Sequence, residues 1–440
     1  MVPAEVRLDR AARLRGDLVL PGDKSVSHRA LMFALLAGGV SRITGAGDGA
    51  DVRSTAGIVQ ALGAEVTRGS GTAGNVDYVV RSGGASGIRE PADSLDCGNS
   101  GTTMRLFAGI LAGLPVRAVL DGDASLRGRP MARVVEPLRA MGAEIDGDSG
   151  RPPLRISGSA NLRAIDYATP TPSAQVKSAI LLAGLAANGA TRVRESVTTR
   201  DHTERMLLAR GVLVRSHGTG MGGSVVELDG PAVVAAVDQT VPGDVSAAAF
   251  WLVAAAIHSN AELRLAGVGV NPSRRAVIDL LVRMGASIEE RGAADDGAGE
   301  PLAELRAETS DLEATEISAA ETVAAIDEIP VLCLAATQAC GTTVIRGAGE
   351  LRHKESDRIG GIVDGLSRLG ARITADGDDI VIDGPTELHG APVDSLGDHR
   401  LALTFAIAGL IATGTTTIRG AASVAISYPT FFADLERIRS

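Results

Sequence analysis

Eight short stretches of this chain carry a cation or a carboxylate, seven of them beside glycine, hydroxyl or amide residues, and most run directly into a segment rich in Ala, Val, Leu and Ile. They are residues 20–29 (LPGDKSVSHR), 96–106 (DCGNSGTTMRL), 127–130 (RGRP), 172–178 (PSAQVKS), 199–205 (TRDHTER), 325–330 (AIDEIP), 351–358 (LRHKESDR) and 397–400 (GDHR). A helix start carries free backbone N–H groups and the positive end of the helix dipole, so an added cation and hydroxyl suit an anion there. Taken singly, each stretch is a helix cap with solvated charges; the first is not a nucleotide-binding loop, because the G-x-x-x-x-G-K spacing is missing. Taken together they share one design. If the segments they open are related by symmetry, several dipoles and cations converge, which is what a pair of polyanionic small molecules requires.

The elements that would position these stretches repeat. A helix-like segment ends in glycine and passes into a strand five times, at Gly63, Gly142, Gly211, Gly285 and Gly370, roughly every 70 to 85 residues. Each glycine sits where a helix C-terminus calls for a left-handed residue. A second element interleaves with the first: an Ala/Leu-rich helix, a glycine, then a Thr/Val/Arg strand, as at residues 30–44, 179–193, 331–345 and 401–418. One unit reads strand–helix–strand–helix–strand–strand, and about six fit the chain. The Asp376-Gly377 pair marks a hairpin between the last two strands of one unit. The Ala/Leu-rich helices are apolar nearly all round, so they belong between sheets.

Composition bounds the rest. At 440 residues with 45 % hydrophobic and 22 % charged side chains, the chain is globular and long enough for two cores. A net charge of −10 disfavours a nucleic-acid partner. Three cysteines give no disulfide framework and fit a reducing cytoplasm. The start, Met1 to Arg7, has no apolar signal core, and the apolar runs at 247–257 and 401–412 fall short of the ~20 residues of a membrane span. Both read as buried helices.

The set Pro21-Gly22-Asp23-Lys24-Ser25, Gly98 to Arg105, Arg129-Pro130, Ser173-Ala174-Gln175, Lys354 to Arg358 and Asp398-His399-Arg400 resembles the EPSP synthase family, in order and over almost the whole chain. The resemblance implies an α/β (α+β) enolpyruvyl transferase fold: two domains, each of three βαβαββ units around a pseudo-threefold axis. Residues 1–20 and 241–440 would form one domain and 21–240 the other, with the active site in a cleft that closes on substrate. It implies transfer of the enolpyruvyl group of phosphoenolpyruvate to the 5-hydroxyl of shikimate 3-phosphate, on the route to chorismate. No metal, flavin or nucleotide is implied, no partner other than the two small substrates, and a cytoplasmic monomer. The alternative is the sister activity on UDP-N-acetylglucosamine, which usually carries a reactive cysteine.

Carried over by motif, Lys24, Ser25, Arg29, Ser173, Ala174, Gln175, Arg200, Asp327 and Lys354 are the shikimate 3-phosphate ligands. Lys24, Asn99, Gly101, Arg129, Gln175, Arg358 and Arg400 are the phosphoenolpyruvate ligands. Asp327, Glu355 and Lys24 are the catalytic set, Asp327 taking the hydroxyl proton and Glu355 handling the proton at C3. The sequence departs from the family pattern at Ile426, where many members carry a phosphoenolpyruvate-binding lysine, at Leu106, where sensitive members often have proline, and at Asp23, often serine. In this family glyphosate competes with phosphoenolpyruvate. A Cβ at Gly101 is expected to project into the pocket and weaken the longer inhibitor.

Overall fold

The computed structural model describes residues 3–219, 222–295 and 297–439. They form two compact units: Gly22–Val241 with Asp295–Glu300, and Met1–Pro21, Pro242–Ala294 and Pro301–Ser440, called here the central and the terminal unit. Each has its own continuous apolar core.

Among the described residues six small sheets recur. In one, Glu316–Ile317 lies parallel to Gly341–Ile345, which pairs antiparallel with Asp379–Gly384, itself antiparallel to Arg372–Asp376. The same order of parallel, antiparallel and antiparallel neighbours holds in the three sheets of the central unit. The chain supplies the elements as expected: Leu95–Asp96, helix, Arg117–Asp121, helix, Glu144–Asp148, Arg151–Ser157. The sixth sheet differs. Pro392–Asp394 runs parallel to Thr415–Arg419, but the antiparallel partner of the latter is Glu5–Asp9 from the opposite end of the chain. The chain finishes in the helix Phe431–Ile438 instead of a hairpin, so the N-terminal strand completes the last repeat.

The five repeated glycines have φ between +79° and +107°, the left-handed turn that a side chain resists. Eight helices matter below: α1 (Lys24–Leu36), α2 (Gly101–Ala112), α3 (Ala174–Gly184), α4 (His202–Leu208), α5 (Val245–Ile257), α6 (Ile329–Gln338), α7 (Arg358–Arg368) and α8 (His399–Gly409). As expected from their composition, α5 and α8 are buried on nearly every side. In α5 this includes Trp251, stacked 4.9 Å from Phe431. Each large apolar side chain so buried contributes about 1.5–3 kcal/mol. Among the described residues no helix is long and apolar enough to cross a membrane.

One boundary differs from expectation. The first helix begins at Lys24, not at Ala30. The Asp23 carboxylate accepts from the Val26 N–H at 2.9 Å and caps the helix, so Lys24, Ser25 and Arg29 lie on its opening turns. Asp23 is 5 % exposed; its charge faces the helix end and also acts on the neighbouring Arg29 guanidinium.

Candidate active site

In the central unit three helix starts are tied together by side chains. Ser100 caps α2 and Ser173 caps α3. Gln175, on the first turn of α3, donates to Thr102 Oγ1 at 2.9 Å and accepts from the Arg105 guanidinium. Arg129 donates to Asn99 Oδ1 at 2.6 Å, and Asn99 donates to Asp123. A core relay sets the depth of α2 against α1: His28 Nδ1 to Thr55 at 2.7 Å, Thr55 to Thr103 at 2.8 Å, and Thr103 donating to the capping Ser100 at 2.7 Å.

Arg29 on α1 is 4 % exposed. It donates to Thr203 Oγ1 on α4 at 2.8 Å, to Ser178 Oγ on α3 at 2.9 Å and to the Ser25 carbonyl at 3.0 Å. Burial lowers its pKa, while Glu204, Glu300 and Asp23 pull the other way. Lys24 forms an ion pair with Asp51. Arg200 stands just before α4, half-buried, and Lys177 beneath it holds Glu195 and Glu204, both at 2.8 Å.

Arg105 is the residue of this cluster that the motif transfer passed over, although it lies in the quoted 96–106 stretch. Burial lowers its pKa to about 10, with Arg129 and Arg133 adding repulsion. Among the described residues neither Arg105 nor Arg129 forms an ion pair with a carboxylate, so this cluster is an excess of positive charge. Gly101 faces it. A Cβ built there lies 2.9 Å from Arg105 Nη1 and 3.4 Å from Arg129 Nη1. The added atom would therefore shift the Arg105 guanidinium and press lightly on Arg129, a different mechanism from the direct overlap expected from the sequence.

In the terminal unit the cations are surrounded by carboxylates. Arg358 opens α7 and is 1 % exposed. Its Nε donates to Asp398 Oδ2 at 2.7 Å, its Nη2 to Glu355 Oε2 at 2.5 Å, and its Nη1 lies 3.5 Å from Asp327 Oδ1. Burial works against the Arg358 cation, but Glu355, Asp398 and Asp327 outweigh it and raise its pKa. Asp398 caps α8 through the Arg400 N–H at 2.8 Å. Arg400 donates through Nη1 to the Asp327 carbonyl at 2.9 Å, and its Nη2 lies 3.9 Å from the Asp327 carboxylate. Glu355 is partly desolvated, its side chain 39 % exposed, which disfavours its ionised form, yet Arg358 foremost, then His399 and Arg400, hold it down at about 2. His399 is buried; that and Arg400 lower its pKa to about 4. Lys354 stands half-buried next to Glu355.

Of the residues expected from sequence, then, Lys24, Ser25, Arg29, Asn99, Gly101, Arg129, Ser173, Ala174, Gln175 and Arg200 lie at helix starts or loops of the central unit. Asp327, Lys354, Glu355, Arg358 and Arg400 lie at those of the terminal unit. Ile426 is 40 % exposed at the end of a 3₁₀ turn, and Leu106 is buried in α2. Asp51, Asp398 and Glu328 are charged members of these clusters that were not assigned as ligands.

The sequence profile of EPSP synthase (3-phosphoshikimate 1-carboxyvinyltransferase) matches residues 8–435. The chain belongs to the EPSP synthase family. It is 50 % identical to the 3-phosphoshikimate 1-carboxyvinyltransferase of Gloeobacter violaceus over 98 % of both chains, and 49 % identical to that of Bacillus cereus over 97 % of both. The structure of EPSP synthase from Acinetobacter baumannii superposes with a TM-score of 0.89 at 40 % identity, covering 99 % of this chain and 98 % of that one. An enolpyruvyl transferase of Streptomyces tendae, 20 % identical with a TM-score of 0.76, covering 98 % of this chain and 96 % of that one, shares the fold. The expected fold class is thus the observed one.

Proposed function

We propose the following division of labour for the transfer of the enolpyruvyl group from phosphoenolpyruvate to the 5-hydroxyl of shikimate 3-phosphate, with release of phosphate. Lys24, Ser25, Arg29, Ser173, Ala174, Gln175 and Arg200 hold shikimate 3-phosphate, with Asp327 and Lys354 at its reacting side. Lys24, Asn99, Gly101, Arg129, Gln175, Arg358 and Arg400 hold phosphoenolpyruvate. In the addition step the 5-hydroxyl loses its proton to Asp327, its oxygen bonds to C2, and C3 takes a proton from Glu355, protonated from solvent once phosphoenolpyruvate is bound, giving a tetrahedral ketal phosphate. In the elimination step the C2–O bond to phosphate breaks and C3 gives its proton back to Glu355.

The observation that carries this reading is the bridging of Asp327 and Glu355 by one buried guanidinium, Arg358. Two proton-transfer groups and one anion-binding group form a single unit. The low pKa of Glu355 adds an ordering: in the resting enzyme it is a carboxylate. When the anionic substrate draws on Arg358, the pull on Glu355 weakens and its pKa rises toward usefulness as an acid. Protonation at C3 thus waits for phosphoenolpyruvate.

The chain acts on these substrates as a cytoplasmic monomer in this reading. The sister activity on a UDP-amino sugar gains no support from a reactive thiol in the loops that carry these residues: Cys97 and Cys333 are buried, burial pushes both thiols up, Cys333 to about 12, and the exposed Cys340 follows the C-terminus of α6, at the other end of that helix from Asp327. The test is phosphate release on mixing the protein with both substrates. Asp327→Asn and Glu355→Gln should each lower kcat by about 10²–10⁴-fold with the Tm within a few degrees of the parent. Retained turnover in either variant removes that residue from the chemistry.

A further inference from the structure

Glu328 follows Asp327 and takes the N-cap position of α6 without capping it; its side chain makes no hydrogen bond to the helix start. It is 1 % exposed and turns instead toward two other elements. Ser246, on the first turn of α5, donates its hydroxyl to Glu328 Oε1. Arg274, 4 % exposed, donates through Nη2 to that same hydroxyl at 2.7 Å and lies 3.5 Å from Glu328 Oε1. The third neighbour is Arg400, whose Nη1 stands 3.7 Å from Glu328 Oε1 while donating to the Asp327 carbonyl.

A carboxylate so deeply buried carries a heavy desolvation cost unless it is compensated, and here two guanidinium groups compensate it. One of the two, Arg400, is assigned above to phosphoenolpyruvate. Its Nη1 corner donates a hydrogen bond to the Asp327 carbonyl, and the Glu328 carboxylate attracts the same corner across 3.7 Å. Because the guanidinium is planar, holding this corner narrows the directions open to its remaining N–H groups. Ser246 and Arg274 in turn fix the Glu328 rotamer.

We infer that Glu328, held by Ser246 and Arg274, is a positioning residue that aims Arg400 at phosphoenolpyruvate and keeps the adjoining Asp327 backbone in place. The inference rests on the assignment of Arg400 to phosphoenolpyruvate. Glu328 touches neither substrate; it acts through Arg400.

The experiment is a double-mutant cycle between Glu328→Gln and Arg400→Met, read as the KM for each substrate, kcat and Tm. Gln keeps the shape and the acceptor for Ser246 but removes the charge opposite Arg400. The expected result is a rise in the phosphoenolpyruvate KM of about tenfold in the parent background, less than a twofold change in the shikimate 3-phosphate KM, and less than twofold further loss in the Arg400→Met background. Equal losses in both backgrounds, or equal rises in both KM values, overturn the inference while leaving the Arg400 assignment standing. Near-normal turnover of Arg400→Met alone overturns both. If Glu328→Gln does not fold, Ser246→Ala serves in its place: a two- to threefold rise confined to the phosphoenolpyruvate KM supports the inference, and no change overturns it.

Discussion

One cluster in each unit, Arg105 with Arg129 and Arg358 with Arg400, answers the same requirement for cations at helix starts in opposite ways. In the central unit Arg105 and Arg129 lean on neutral amides, Gln175 and Asn99, and repel one another. In the terminal unit Arg358 and Arg400 are enclosed by Glu355, Asp398, Asp327 and Glu328. The first arrangement is short of negative charge, so an incoming anion relieves repulsion and gains charge-assisted hydrogen bonds. The second is already neutralised, so an anion must compete with resident carboxylates and, in doing so, changes their proton affinity. Uncompensated cations suit binding; compensated ones suit coupling of binding to proton transfer.

The largest expected effect comes from breaking the compensated cluster. Arg358→Met should lower kcat/KM for phosphoenolpyruvate by roughly 30- to 4,000-fold, the loss of about 2–5 kcal/mol that follows when one side of a buried charged pair is removed. Arg400→Lys should fall at the lower end of that range, since lysine keeps the charge but not the planar fork. Steady-state kinetics decide both; an Arg400→Lys enzyme with parental kcat/KM would place Arg400 outside the site.

A smaller effect tests the central cluster. Gly101→Ala should raise the phosphoenolpyruvate KM about tenfold, equivalent to ~1.4 kcal/mol, because the new methyl shifts Arg105, which lies beside Arg129. It should raise the inhibition constant of the longer glyphosate still more. Inhibition curves at matched phosphoenolpyruvate saturation measure the two; equal changes would mean that the shifted guanidinium accounts for everything and that inhibitor length adds nothing.

The fold was readable because its markers are local. A glycine that must adopt positive φ after a helix announces a boundary, and five at one period announce the repeat. Buried helices announced themselves by composition, and the loops opening them by residue type. What could not be read depends on distant partners. Nothing near Lys24 indicates Asp51, and nothing near Glu328 indicates Ser246 or Arg274. Nor does the strand Glu5–Asp9 show that it completes the last sheet. The start of α1 was misplaced because Lys24-Ser25 reads as loop until Asp23 is seen to cap it. Arg105 was overlooked although its spacing puts it one turn into α2; the available signal was its i, i+4 relation to Gly101.

A stability effect, read by pH and not by kinetics, concerns a buried histidine in each unit. His28, in the central unit, is lowered well below its ordinary value by burial and by Lys24; His399, in the terminal unit, to about 4. Both are neutral when folded and bind protons more readily when unfolded. Their contribution is full above the unfolded value near 6.5 and is lost as pH falls below it, for His399 toward about 4. Each should then reduce stability by up to about 1.4 kcal/mol per pH unit in that window. Denaturant titrations between pH 7 and pH 5 should show the decline, and a flat profile would mean that neither ring is held neutral.

The contrast between the clusters is tested most directly by heating two ligand-free variants side by side, Arg129→Met and Arg358→Met. Removing Arg129 leaves no carboxylate stranded, so its Tm should stay within a few degrees of the parent or rise. Removing Arg358 strands Glu355, Asp398 and Asp327 around a buried position and should cost about 3–5 kcal/mol, read as a clear drop in Tm. Equal drops in the two variants, or a larger drop for Arg129→Met, would contradict the account.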